Sequence, residues 1–207
     1  MGLGLFAQNL GRAKDYLKDH KLEEAKNQID KVLTVEKHAK NPEAWFTKAK
    51  IYAAIADDSL MNLQGTVPPD AREQAYEAIK KYVETDEKGQ LVLLQLENYK
   101  PIMDIYQGYY RAGAAFYNSN NFNDAYESFK HCLEVSDYMI GKKWSNLALD
   151  TSVILYTGIA AEKSNLRDTA ATYYRRLADA KVGGDGLAEI YKWLADYYNQ
   201  KEDIANA

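Results

Sequence analysis

The sequence predicts an all-α protein built from antiparallel helix pairs, and three observations carry that prediction. Apolar residues recur at spacings of three and four nearly throughout the chain. The 207 residues include only four prolines and 12 glycines, too few breakers for a turn-rich β fold. A large residue, a small residue and an aromatic also recur in the same order along the chain.

That order is clearest between Tyr109 and Leu133. Tyr109, the small pair Ala112 and Gly113, and Phe116 form one face of a first helix. After the polar break Asn118 to Asn121, a second helix presents Phe122, Ala125, Phe129 and Cys132 at spacings of three and four. Small residues at Gly113 and Ala125 let the two helices approach closely, with large residues filling the space around them.

The pattern returns along the chain. Asn9, Ala13 and Tyr16 precede Leu22, Ala25, Ile29 and Val32. Pro42, Trp45, Ala49 and Tyr52 lead, after an insertion, to Ala75, Ile79 and Tyr82. Ile154, Gly158 and Ala161 precede Ala170, Tyr174 and Leu177; registering this helix on Ala170 rather than Thr169 puts all three on one face. Last come Tyr191, Leu194, Ala195 and Tyr198, leading to Ile204 and Ala207.

These residues resemble the tetratricopeptide repeat (TPR), a helix–turn–helix unit of about 34 residues. The units begin near Phe6, Pro42, Tyr106, Thr151 and Ala188, so the resemblance covers most of the chain. It implies a right-handed superhelix of antiparallel helix pairs, a TPR-like α-solenoid. The expected domain spans 8–207, with units at about 6–39, 42–86, 106–136, 151–181 and an incomplete 188–207. Two features depart from the pattern: Asn9 stands where a bulky residue is usual, and Lys48 where an apolar one is.

The long gaps read as insertions. Residues 57–69 form an extended loop within the second unit, after which Pro69 and Asp70 open a helix. Residues 90–100 form an extra segment, a short packed helix or a flap. Pro101 fits the first turn of the helix that carries Tyr109. Residues 137–149 read as another loop, and Lys181 to Gly186 as a helix stop and turn. Residues 1–7 are apolar and read either as a signal-peptide remnant or as the start of the first helix. The first reading implies an exported or periplasmic protein, the second a cytoplasmic one. The last unit breaks off after one turn of its second helix, which reads as a fragment of a longer protein or a frayed end.

Composition narrows the function. A net charge of −4 argues against a general nucleic-acid binder, and no apolar run is long enough to span a membrane. One cysteine excludes an internal disulfide and a cysteine-built zinc site. Cys132 sits at a repeat-core position and reads as a structural thiol; the adjacent His131 cannot face it on a helix. His20 and His38 read as solvated residues of connecting segments. The acidic pairs Glu23–Glu24, Asp57–Asp58 and Asp86–Glu87 read as caps or solvated charge. No phosphate loop, nucleophile elbow or dinucleotide motif occurs, so no enzyme activity, metal or cofactor is expected.

In the TPR family the first helices line an inner, concave surface. Carried over residue by residue, that face holds Lys14, Phe46, Lys50, Tyr110, Arg111, Tyr117, Asn118, Tyr156, Ile159 and Trp193, with Leu155 and Asp196 beside them. Its aromatics with a few polar groups suit a protein or peptide partner. The same rings also suit packing between units. The lysine and asparagine clamp of the chaperone-tail-binding subset does not occur in the first two units. The expected function is therefore a non-enzymatic interaction scaffold. Self-association through the C-terminal end is a rival within that class. The alternative class is a small-molecule or glycan receptor, with Trp144, Tyr110, Tyr156 and Trp193 stacking on a ring.

Overall fold

A computed structural model describes the backbone of residues 3–201 and the side chains of residues 9–201. Among the described residues there are twelve helices and no strand. Nine are long: α1 (Leu3–Lys18), α2 (Leu22–Leu33), α4 (Pro42–Asp57), α6 (Ala71–Thr85), α8 (Lys100–Asn118), α9 (Phe122–Gly141), α10 (Thr151–Lys163), α11 (Arg167–Asp179) and α12 (Leu187–Gln200). Three are short: α3 (Glu36–Ala39), α5 (Ser59–Gln64) and α7 (Val92–Leu96). The expectations for the side chains of residues 1–7, and for the last helix with Ile204 and Ala207, lie outside the described residues.

The chain divides into two compact units, residues 1–108 and 109–207. The division falls within α8, which gives Lys100–Gly108 to the first unit and Tyr109–Asn118 to the second. In the first unit α1 packs on α2, α2 on α4, and α4 on α6. In the second, α9 packs on α10, α10 on α11, and α11 on α12.

Local chemistry sets the pairing. Three turns between paired helices have one design, each with a left-handed residue: His20 (φ 57°), Asn120 (φ 60°) and Asn165 (φ 60°). The next amide in each turn donates back across it: Lys21 to Tyr16 O at 2.8 Å, Asn121 to Phe116 O at 2.9 Å and Leu166 to Ala161 O at 2.9 Å. This is a Schellman-type stop, which satisfies the last carbonyls of one helix and reverses the chain into the next. Asparagine and histidine tolerate the left-handed region better than most residues, so the sequence can make this turn without glycine.

The paired helices meet at one register. Each pair has a small buried residue on its first helix and, on its second, an alanine followed four positions later by a large residue. The four sets are Ala13 with Ala25 and Ile29, Ala49 with Ala75 and Ile79, Gly113 with Ala125 and Phe129, and Gly158 with Ala170 and Tyr174. All twelve are buried. Sizes are matched across the set: alanine goes with isoleucine, glycine with an aromatic ring. The reason is steric. A Cβ on Gly113 would lie 2.8 Å from Phe129 Cδ1, and one on Gly158 would lie 2.5 Å from Tyr174 Cε1.

The inserted segments are more ordered than the sequence suggests. The stretch expected as a loop at 57–69 contains α5, capped by Asp58, whose carboxylate accepts the Met61 amide at 2.8 Å. The 90–100 segment is a packed helix rather than a flap: Leu94 is fully buried, and the Leu93 amide donates to the Tyr82 hydroxyl at 3.2 Å. The loop expected from residue 137 begins later, because α9 runs on to Gly141. Val135, Ser136 and Met139 continue its buried stripe beyond Cys132. His38, expected in solvent, is buried in α3, which packs on α2 and α4. His20 is exposed, but its Nε2 lies 2.8 Å from Asp58 Oδ2.

Gly113→Ala is expected to lower stability by about 1–3 kcal/mol, because overpacking against Phe129 outweighs the better helix propensity of alanine. In a Phe129→Ile background the same substitution should cost less, since the pair then matches Ala13 and Ile29. Urea melts of the four proteins measure the coupling, and equal costs in both backgrounds would contradict the size-matching argument.

Candidate functional cleft

A cleft of about 730 Å³ lies in the first unit. Its floor is one face of α4: Phe46, Thr47, Lys50, Ala53, Ala54 and Asp57. These positions recur every three or four residues because the opposite face of α4 is committed to α6 and α2. Leu17, Lys14 and Lys18 of α1 form one wall. Leu93 and Glu97, with Lys100, Pro101 and Asp104 of α8, form the other. Ala53 and Ala54 keep the floor low toward the C-terminal end of α4, where larger side chains would fill the space.

The base of the cleft is closely packed. Phe46 is buried, its ring 5.1 Å from that of Tyr82. Tyr82 in turn holds α7 through the Leu93 amide, and Asp86 accepts the Leu91 amide at 2.6 Å. Burial raises the pKa of the Tyr82 phenol, so it stays neutral and keeps its hydroxyl.

Ion pairs tie the walls to the floor. Lys50 Nζ meets Glu97 Oε1 at 2.6 Å, joining α4 to the end of α7. Lys14 pairs with Glu43, joining α1 to α4, and Lys100 pairs with Asp104 along α8. Asp57 is held by Arg72 Nη2 at 2.6 Å. These pairs are partly exposed, so each adds little stability. Their consequence is geometric: the pairs hold the charged side chains of the rim in place.

Three of the ten predicted partner-binding residues, Lys14, Phe46 and Lys50, come together in this cleft. The other seven lie in the second unit. Tyr110 and Tyr156 meet edge to face at 6.0 Å, and Tyr156 stacks on Phe129 at 5.6 Å. Burial and the neighbouring Tyr156 raise the Tyr110 pKa. Tyr156 remains exposed, whereas Tyr110 is half-buried. Tyr117 packs edge-on against Phe122 at 5.3 Å. Ile159 and Trp193 belong to a different cluster around Tyr174, Leu194 and Tyr197, where Trp193 stacks on Tyr197 at 5.5 Å. Arg111 and Asn118 are exposed on α8. Trp144 packs edge-on against Tyr138 at 5.5 Å. None of the four rings of the glycan reading lines the cleft.

The two departures from the repeat pattern have structural accounts. Lys48 reaches over the rings of Tyr52 and Trp45 and lies 3.7 Å from Asp30. Asp30 also accepts the Tyr52 hydroxyl at 2.7 Å and meets Lys26 at 3.0 Å. The lysine stem thus covers apolar surface while its charge joins a network between α2 and α4. Asn9 is exposed, and its carbonyl accepts the Gln28 side chain at 3.2 Å. Cys132 is fully buried, and burial pushes its thiol pKa far above the ordinary range, which leaves it unreactive.

No protein-family model matches the chain, and no curated protein is significantly similar to it. No described helix is long and apolar enough to cross a membrane.

Tyr82→Phe should leave the Leu93 amide without its acceptor, loosening the α7 wall. Hydrogen exchange should accelerate at Leu93 and its neighbours, with about 1 kcal/mol lost from global stability. Unchanged exchange at Leu93 would show that the hydroxyl does not anchor this wall.

Proposed function

We propose that the chain is a TPR-like array whose helix pairs stack into a right-handed superhelix, and that it serves as a non-enzymatic scaffold for a protein or peptide partner. The recurring register and turn design support the first part. The cleft carries the second. The α4 face from Phe46 to Asp57 is about 16 Å long at 1.5 Å per residue, the span of about five residues of extended chain. The apolar part of the floor, Phe46, Ala53 and Ala54, accepts side chains of such a segment, while the prearranged lysines and carboxylates around it meet its polar groups. Prearranged side chains lose less entropy on binding, which suits a docking surface. Tyr110 and Tyr156 supply a second, aromatic contact region on the same class of first helix.

The test is selection of binders from a displayed peptide library, followed by titration of the best peptide. Ala54→Arg fills the cleft without removing a core side chain and should weaken binding at least thirtyfold, the equivalent of losing a contact worth about 2 kcal/mol. Tyr156→Ala should weaken it less, and Lys130→Ala on α9 should leave it unchanged. Equal binding by the Ala54→Arg variant, shown folded by circular dichroism, would place the partner elsewhere.

A further inference from the structure

We infer, resting on the peptide-docking reading of the cleft, that its partner is acidic: a short segment with an apolar residue beside an aspartate or glutamate, whose carboxylate pairs with Lys18. The charges around the cleft point to this chemistry. Each carboxylate that lines the cleft, Glu43, Asp57, Glu97 or Asp104, is already in an ion pair. Lys14, Lys50 and Lys100 supply three of the cations.

The fourth cation comes from elsewhere. Arg72 of α6 does not line the cleft, yet its Nη2 holds Asp57 at 2.6 Å and also donates to the Ala56 carbonyl at 3.2 Å. Asp57 is thereby neutralised from outside the cleft, and one lining lysine is left without a counterion. That lysine is Lys18, which is exposed and, among the described residues, has no ion pair. Residues 1–8 contain no carboxylate to give it one.

Lys18 follows Lys14 by four residues and so shares its face of α1, which the Lys14–Glu43 pair turns toward α4. Leu17 lines the same wall, and Ala53 and Ala54 leave room on the floor for an apolar side chain. An acidic group entering the cleft gains Lys18 in a charge-assisted contact without disturbing any existing pair. A basic group finds every lining carboxylate taken, is repelled by Lys18, and has to break a pair before it makes one. The cleft therefore discriminates by sign of charge, although four lysines and four carboxylates line it.

The probe is a displayed library of short peptides in which all residue types are equally frequent, selected on the full chain. Peptides that bind the parent and fail on Ala54→Arg should be enriched in aspartate or glutamate beside an apolar residue. The best of them is then labelled with fluorescein and titrated by anisotropy, alongside a version whose acidic residue is replaced by its amide. The amide should bind the parent about two- to fivefold more weakly, the range of an exposed ion pair. With Lys18→Met, which keeps most of the stem and removes the charge, acid and amide should bind alike. Lys31→Met, on α2 and outside the cleft, should behave as the parent does. Cleft-directed peptides without acidic enrichment, or an amide penalty that persists in Lys18→Met, would overturn the acidic partner and leave the docking reading standing. A selection that yields no peptide, or only peptides indifferent to Ala54→Arg, would overturn both.

Discussion

The structure depends on how closely two helices can approach at one point. At Gly113 and Gly158 a residue of the first helix without a side chain meets an aromatic ring of the following helix, Phe129 and Tyr174 respectively. For Gly113 and Gly158 the approach is so close that even a methyl group would collide with the ring above it. Glycine inside a helix costs roughly 1 kcal/mol relative to alanine. Its presence at Gly113 and Gly158, where an added Cβ would meet a ring, shows packing overriding propensity. The turns reinforce the same geometry, since a left-handed His20, Asn120 or Asn165 ends one helix and aims the chain back along it.

The cleft follows from that arrangement. Once α4 commits most of its surface to α6 and α2, the side from Phe46 to Asp57 is left to line the cleft, with Phe46 and Asp57 still touching α6 through Tyr82 and Arg72. Small residues at 53 and 54 leave the space open. The segment inserted after α6 then supplies a wall, held by the Tyr82 hydroxyl and the Lys50–Glu97 pair. The same Tyr82 ring that supports Phe46 from below also anchors the wall, so floor and wall are mechanically joined.

The register was legible in the sequence because it rests on residue size at fixed spacing. Ala170 rather than Thr169 follows from placing Tyr174 and Leu177 on one face, and the pairing of Gly113 with the helix bearing Ala125 follows from residue size. Lys14, Phe46 and Lys50 follow instead from the resemblance to the tetratricopeptide repeat, and all three line the cleft. The opposite wall was not legible. Leu93 and Glu97 reach the cleft through an insertion whose path depends on a buried tyrosine hydroxyl eleven residues before Leu93. Helix α9 outlasted its expected end because Val135, Ser136 and Met139 extend the stripe beyond the repeat length. His38 was misplaced because a four-residue helix, invisible to periodicity, turns it inward. Ala53, Ala54 and Asp57 could have been found by extending the Phe46–Lys50 spacing along α4.

The central claim, that glycine admits an aromatic ring at the helix crossing, is tested most directly by proton NMR. The α-protons of Gly113 and Gly158 should be shifted strongly upfield by ring currents. They should also show nuclear Overhauser contacts to the rings of Phe129 and Tyr174, respectively. Ordinary glycine shifts without those contacts would contradict the account.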